Sequence, residues 1–346
     1  MITEAFRAAA QVRARALGLA EHPVVVIAHP LATRNQGQVR ELVRNSLQEV
    51  VHGLLSGGPN PSVSLRNEEG PARVPESKKA SRVQVQGSVS DINNHFHERG
   101  WTDGLPVIPP SEDLVLKMLE ASPRSSEQSL GKMPPLNGTA TVEKVAVNAV
   151  MAGCRPDYFP VVLAAVKAVL QPQFNVGSIT TTTGGAAPVV VVSGPVARKL
   201  GIQSGTAVFG SGHRANATIG RALRLTMRNL GGATADTMEK STHGWPGKYT
   251  MCFAENDERN PWEPLRVEMG FPPEASIVVV SAARGLHTLM EGTQGTGVAA
   301  LQTLIEAMTA GGISGYLQER ASAFGQAKRP GPLGRPLLAE GVRGSE

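Results

Sequence analysis

Aromatic residues and cysteines are scarce in this chain. Of 346 residues, 4% are Phe, Trp or Tyr and two are cysteine. Two cysteines cannot form a disulfide framework, which excludes the small disulfide-stabilised secreted class and favours a reducing compartment, the cytoplasm. With few aromatic residues, the core must consist of Val, Leu, Ile, Ala and Met. The apolar fraction of 41% is sufficient for such a core.

Long apolar runs are also missing. None approaches the roughly 20 residues that span a bilayer, so we expect no membrane partner. Residues 1–10 include Glu4 and Arg7 and have no apolar centre, which is unlike a secretory signal peptide. The net charge of +5 comes from spread basic residues and a basic tail over 320–343, and therefore predicts no nucleic-acid partner.

Hydrophobic periodicity predicts an α/β or α+β fold with a large mixed main domain and a small N-terminal α/β appendage. The appendage covers 1–55, a Gly/Pro-rich linker 56–90, the main domain 91–312, and a helix end with a disordered basic tail 313–346. The main domain should contain helices at 141–151, 157–170, 214–230 and 296–308, and strands at 188–193, 249–254 and 276–281. The appendage has one strand between two helices, so its edges need partners from elsewhere.

The densest chemical signal is the segment 209–222, where glycines run into a predicted helix. Gly210 and Gly212 would let an anion approach the free N–H groups at the helix start, with His213, Arg214 and Asn216 beside it. The alternative is a loop that only caps the helix. Arg221, Arg224 and Arg228 follow on one stripe of this helix, which we interpret as a solvated face.

A second polar cluster precedes the predicted strand 188–193. Thr180, Thr181 and Thr182 could direct hydroxyl groups into a substrate pocket, or simply form an extended segment, since threonine favours strands. We expect the pocket between this segment and the 210–212 loop.

Two further groups are candidates for catalysis. Cys154 lies between two predicted helices, where its thiol is either a buried inert group or a nucleophile activated by a helix N-terminus and Arg155. Glu255 follows the strand that contains Cys252 and could serve as a general acid or base. Asp103, in a turn of Gly and Pro, would order the site or its entrance. No residue spacing indicates a metal site or a particular cofactor.

Two parts of the chain resemble known families. Residues 3–55, with the strand VVVIAHPL at 24–31, resemble the C-terminal half of the thioredoxin-like family of selenoproteins and cysteine homologues named for its Sec-Gly-Ser-Cys motif. The segments WTDGLPVIPP at 101–110, VNAVMAGC at 147–154 and GHRANATIGRA at 212–222 resemble a bacterial domain associated with that family. The resemblance implies a thiol-linked redox association, which favours a role for Cys154. The motif itself would precede Thr3, and no Cys-Gly-Ser-Cys occurs in the chain, so its redox residues are not carried over.

These observations lead to three alternative functions. The first is a small-molecule enzyme of the oxidoreductase or lyase class that performs thiol-dependent redox or C–S/C–X bond chemistry on a polar or anionic substrate, with Cys154 as nucleophile and His213 as acid/base. The second is a hydrolase or lyase that needs no thiol, with an oxyanion site at the glycine loop and Glu255 or His213 as base. The third is a non-catalytic subunit of a redox protein complex. We expect a homo-oligomer in the cytoplasm.

Overall fold

The computed structural model describes residues 1–16, 19, 21–28, 35–56, 79–235, 238–290, 295–310 and 337–338. Helices account for 46% and strands for 11%, so the fold is mixed α/β, as the sequence predicts. The helices are α1 (Arg7–Ala16), α2 (Gln36–Ser56), α3 (Val89–Glu98), α4 (Glu112–Glu120), α5 (Val142–Ala152), α6 (Phe159–Val169), α7 (Val176–Thr181), α8 (Pro195–Lys199), α9 (Arg214–Gly231), α10 (Leu265–Glu268) and α11 (Gly297–Ala310). The strands are β1 (Ile2–Thr3), β2 (Val26–Ile27), β3 (Ser129–Met133), β4 (Gly138–Thr141), β5 (Ala187–Ser193), β6 (Cys252–Ala254), β7 (Ile277–Ala283) and β8 (Leu337–Leu338).

The largest sheet has the order β6-β5-β7-β8. Strand β5 pairs parallel to β6 and antiparallel to β7 along its whole length. It is apolar on both faces, as expected for a central strand that is covered on both sides. Two small sheets complete the described set, an antiparallel pair β3–β4 and a parallel pair β1–β2 of two residues each.

The core is formed by α5, α6 and α9 together with β5. Ten of the eleven residues of α5 are buried, because this helix has neighbours on nearly every side. It begins where the Thr141 hydroxyl accepts a hydrogen bond from Lys144 N, and it ends at Gly153, whose φ of 87° is the left-handed conformation that glycine adopts at little cost.

Most predicted elements of the main domain are present, with shifted ends. The predicted helix 157–170 starts instead with a 3-10 turn, Pro156–Tyr158, and α6 follows it. Asp157 does not cap the helix, because its carboxylate pairs with Arg155. The predicted strand 249–254 is reduced to the three residues of β6.

Residues 79–90 of the predicted linker are part of the folded structure. Ala80 N donates to Glu143 Oε2 at 3.0 Å, and Arg82 Nη1 donates to Glu143 Oε1 at 3.0 Å. Helix α3 then starts at Val89 with a capping box formed by Ser88 and Asp91. Residues 57–78 lie outside the described residues.

The chain divides into two compact units, 1–284 with 337–346, and 285–336. In the predicted tail, Leu337 and Leu338 pair with β7 as strand β8, while 311–336 and 339–346 lie outside the described residues.

Within the described residues, no single helix has the length and apolarity to cross a membrane. One pair of segments, 156–169 and 172–181, meets the length and composition test together but is bent by 71°.

Candidate functional site

The candidate site lies at the start of helix α9, beside strand β6. Residues after β6 bind the 203–212 loop that precedes α9, through Ala254 N to Gln203 O at 3.0 Å and Asn256 Nδ2 to Ser204 O at 3.5 Å. The chain just before β6 contacts the first turn of α9, because the Thr250 hydroxyl donates to Ala217 O at 2.8 Å. The loop and the helix start therefore both lie along β6.

Helix α9 presents free main-chain donors at its first turn. It is 18 residues long, and its first main-chain hydrogen bond runs from Ala217 N to His213 O at 3.0 Å. The N–H groups of Arg214, Ala215 and Asn216 precede that bond, and no main-chain acceptor meets them within the described residues. The aligned peptide dipoles add partial positive charge at this end, so the three donors together favour an anion.

The predicted glycines of the loop leave this helix start open. Gly212 has a φ of 102°, which residues with a side chain rarely adopt, and no atom lies within 4 Å of a Cβ added there. A Cβ at Gly210 would lie 3.0 Å from Ala207 O. Both glycines are exposed to solvent.

His213 occupies the N-cap position of α9 without capping it. Its side chain is half-buried, and its imidazole makes no hydrogen bond or ion pair with the described residues. Both ring nitrogens are therefore available to a ligand, as a general acid or base requires.

Arg214 is exposed and bridges two helix ends. Its Nε and Nη2 donate to Gly153 O at 3.2 and 3.0 Å, which ties the start of α9 to the end of α5. The Nη1 group has no partner among the described residues, so a bound anion could still use it.

The expectation of an activated thiolate at Cys154 is wrong for this geometry. The residue is 7% exposed, and its Sγ donates to Thr218 O at 3.3 Å. Burial raises its pKa from 9.0 to about 12, which outweighs the hydrogen bond and the charges of Arg214 and Arg221. The thiol is thus protonated at neutral pH. Cys252 is also buried, and its pKa is likewise raised, by burial and by the proximity of Cys154.

Both cysteines are free thiols. Among the described residues, no group of three or more His, Cys, Asp or Glu side chains could hold a metal ion.

Asn216 is a structural residue and not the predicted ligand anchor. It is 5% exposed, its Oδ1 accepts from Gln203 N at 2.8 Å, and its Nδ2 donates to Gln203 O at 3.1 Å and Val208 O at 3.3 Å. All of its hydrogen-bonding groups are occupied in holding the 203–208 loop. The contribution of Asn216 to the site is therefore its main-chain N–H.

The threonine cluster does not lie at the glycine loop, which corrects the predicted pocket. Thr180 and Thr181 end helix α7, and their hydroxyls donate to carbonyls one turn back: Thr180 to Val176 O and Gly177 O, and Thr181 to Gly177 O. The Thr182 hydroxyl accepts from Gly184 N at 3.1 Å.

The position of α7 is fixed by Pro134. A Cβ added at Gly177 would lie 3.4 Å from Pro134 Cβ, and one at Gly231 would lie 2.5 Å from Pro134 O. Gly231 is the last residue of α9, a helix about 27 Å long at 1.5 Å per residue. The threonines therefore lie near the end of α9 opposite to His213.

Glu255 is also committed to structure. Its carboxylate accepts from the Ser193 hydroxyl, from Leu265 N at 2.7 Å and from Asn260 Nδ2 at 3.2 Å, and Arg266 Nη1 lies 3.8 Å away. A carboxylate with so many donors organises the loop after β6 and has little capacity left for proton transfer. The predicted role as a base is not supported.

Asp103 holds the 100–106 segment against α9 through an ion pair that the sequence did not reveal. Both carboxylate oxygens accept from Arg221, at 2.8 Å each, and Arg221 Nη2 also donates to Pro106 O at 2.9 Å. The interpretation of the arginine stripe as a solvated face is wrong here, because the 100–106 segment covers it. The sequence feature that could have indicated this ion pair is a single acidic residue in an otherwise uncharged Gly/Pro turn.

Comparison with known proteins gives one match. The model of the UGSC family matches residues 1–56, which is the region from β1 to the end of α2. No curated protein and no solved structure matches the chain. The family match does not include the α9 site.

Proposed function

We propose that this protein is a small-molecule enzyme of the hydrolase or lyase class that binds an anionic substrate at the start of α9. The observation that carries the proposal is the imidazole of His213, which has no partner among the described residues, beside three main-chain N–H groups that none of those residues' main-chain acceptors meets. The activity is proposed to take place in the cytoplasm, since both cysteines are free thiols.

In this proposal the glycine loop and the helix dipole receive the substrate oxyanion. The N–H groups of 214–216 stabilise negative charge that develops in the transition state, and Nη1 of Arg214 adds a second contact. His213 removes a proton from the substrate or from water, and returns it to the leaving group. No step uses a thiol, because the Cys154 thiol is protonated and buried.

The test compares two variants in one assay. Purified protein is screened for turnover of activated esters and small organic acids, and kcat is measured for the substrate that is found. We expect His213→Ala to lower kcat by about 10²–10⁴-fold, the usual contribution of a general acid or base. Cys154→Ser should retain most of the activity, and His97→Ala, a change at an exposed histidine on α3, serves as the matched control.

Two results would contradict the proposal. One is an active His213→Ala variant. The other is a folded Cys154→Ser variant without activity, which would restore the thiol-dependent alternative.

A second candidate, the non-catalytic subunit, is favoured by helix α2. One face of this helix is apolar and exposed, with Val43 46%, Leu47 54%, Val51 45% and Leu54 80% exposed. Within the described part of the chain, the sheet of the same N-terminal region has two strands of two residues each. A sheet and a helix face that are incomplete in one chain could be completed by a second copy or by a redox partner. This candidate predicts no turnover by the isolated protein.

A further inference from the structure

Arg224 is a partly buried cation on α9 without a counter-ion. Its side chain is half-buried, and its Nε donates to Lys248 O at 2.7 Å. Among the described residues, no carboxylate forms an ion pair with it, and its two Nη groups make no hydrogen bond. Neither Nη atom is among the described side-chain atoms that are both buried and without a hydrogen-bond partner. Both Nη atoms are therefore accessible to solvent.

The nearby carboxylates are already occupied. Asp103 binds Arg221 through both oxygens at 2.8 Å, and Glu239 binds Lys248 at 2.7 Å. Arg221 and Lys248 thus have carboxylate partners, whereas the described residues supply none to Arg224.

This environment works against the charge of Arg224. Burial lowers its pKa and the charge of Arg228 lowers it further, while Glu239 and Asp103 act in the opposite direction. Proteins rarely bury a charge without pairing it, since desolvation is costly. The Arg224 guanidinium is already partly desolvated in the folded chain and keeps two Nη groups free. It can therefore bind an anion with little further desolvation.

We propose that Arg224 anchors a second ligand site, which takes a small molecule carrying a carboxylate or phosphate group. The Nη1–Nη2 fork matches two oxygens of such a group in a bidentate contact, and a lysine would not. The site is independent of the proposed function: Arg224 lies ten residues after Arg214, about 15 Å along the helix from the His213 site.

The test is isothermal titration calorimetry with inorganic phosphate and with malonate, at ionic strength held constant with chloride. We expect saturable binding of at least one of the two anions, and which one binds identifies the group that the site prefers. Arg224→Gln should weaken this binding at least about tenfold, or about 1.4 kcal/mol. Arg224→Lys should also weaken it, because it keeps the charge and loses the fork.

A control variant separates this site from general charge effects. Arg259→Gln removes an exposed arginine elsewhere and should leave the affinity unchanged. Loss of anion binding in His213→Ala together with full binding in Arg224→Gln would place the anion at the start of α9 and overturn the proposal.

Absence of saturable binding to the wild-type protein would overturn the proposal as well. If Arg224→Gln does not fold, an NMR titration of the wild-type protein tests the site instead. The Nε–Hε signal of Arg224 should shift when either anion is added. A signal that does not move refutes the site.

Discussion

At the scale of single residues, hydrogen-bond partners decide which candidates can act. Asn216 and Glu255 have the polar chemistry of site residues, yet neighbouring groups occupy their side chains. His213 has the same kind of chemistry, and its ring has no hydrogen-bond partner in the part of the chain that the structure describes. The difference is one of tertiary contacts, because all three are polar residues at the edge of a secondary-structure element.

The buried thiol of Cys154 leads to a prediction about pH. Its pKa is raised from 9.0 in the unfolded chain to about 12 in the fold. A group of this kind contributes stability that is complete below pH 9 and is lost as the pH rises towards about 12, since the unfolded state releases its proton first. The free energy of unfolding should therefore fall over this range, with a smaller slope in Cys154→Ala. Chemical denaturation at several pH values measures it.

The matched variant is Cys252→Ala. It should also reduce the slope of the free energy of unfolding against pH, because burial raises the pKa of Cys252 too. Rapid alkylation of Cys154 in the folded protein at neutral pH would refute the prediction.

At the scale of elements, α9 organises the chemistry of the molecule. Its first turn forms the candidate site, its arginine stripe holds the 100–106 segment, and its last turn contacts Pro134. Small residues permit these close contacts. At Gly220, in the middle of the helix, the chain just before β6 passes so close that an added Cβ would lie 2.7 Å from Met251 N and in contact with the Thr250 hydroxyl.

Gly220→Ala should therefore destabilise the protein, although alanine is the better helix former. Main-chain atoms cannot move aside cheaply, and overpacking of this kind costs about 1–3 kcal/mol. Thermal and urea unfolding measure the loss. Gly205→Ala is the matched control, since its nearest neighbour would be a flexible Gln203 side chain at 3.5 Å. An unchanged stability of Gly220→Ala would show that α9 and β6 do not approach so closely in solution.

At the scale of the whole molecule, the region that matches the UGSC family and the candidate site lie in different parts of the chain. The match covers 1–56, with its short parallel strand pair and the exposed apolar face of α2. The candidate site lies around residues 203–216. Substitutions in α2 change no residue of the candidate site. Oligomer assembly through α2 and ligand binding at the site can therefore be tested separately.

We expect the protein to form an oligomer through α2. Leu47→Lys should shift the assembly towards the monomer without unfolding it, because 54% of Leu47 is exposed in the single chain. Sedimentation velocity measures the mass in solution. Gln48→Lys adds the same charge at an exposed polar position beside it and should leave the mass unchanged. A monomeric wild-type protein, or an oligomer that persists in Leu47→Lys, would refute this interface.

The sequence alone predicted the central helices and strands of the main domain and the location of the glycine loop. The 3.6-residue spacing of apolar side chains predicted α5 and α9 to within a few residues, and the apolar runs predicted β5 and β7, because periodicity reports which face of an element is buried. The free N–H groups at the start of α9 follow from helix geometry, and His213 follows from its position beside them.

Tertiary structure alone decided what each polar side chain meets. It buried Cys154 and raised its pKa, paired Asp103 with Arg221 across 118 residues of sequence, and placed the threonines of α7 at the far end of α9 from His213. It also left Arg224 without a carboxylate partner among the described residues. Ionisation and hydrogen bonding depend on desolvation and on atoms within a few ångströms, and these neighbours come from distant parts of the chain.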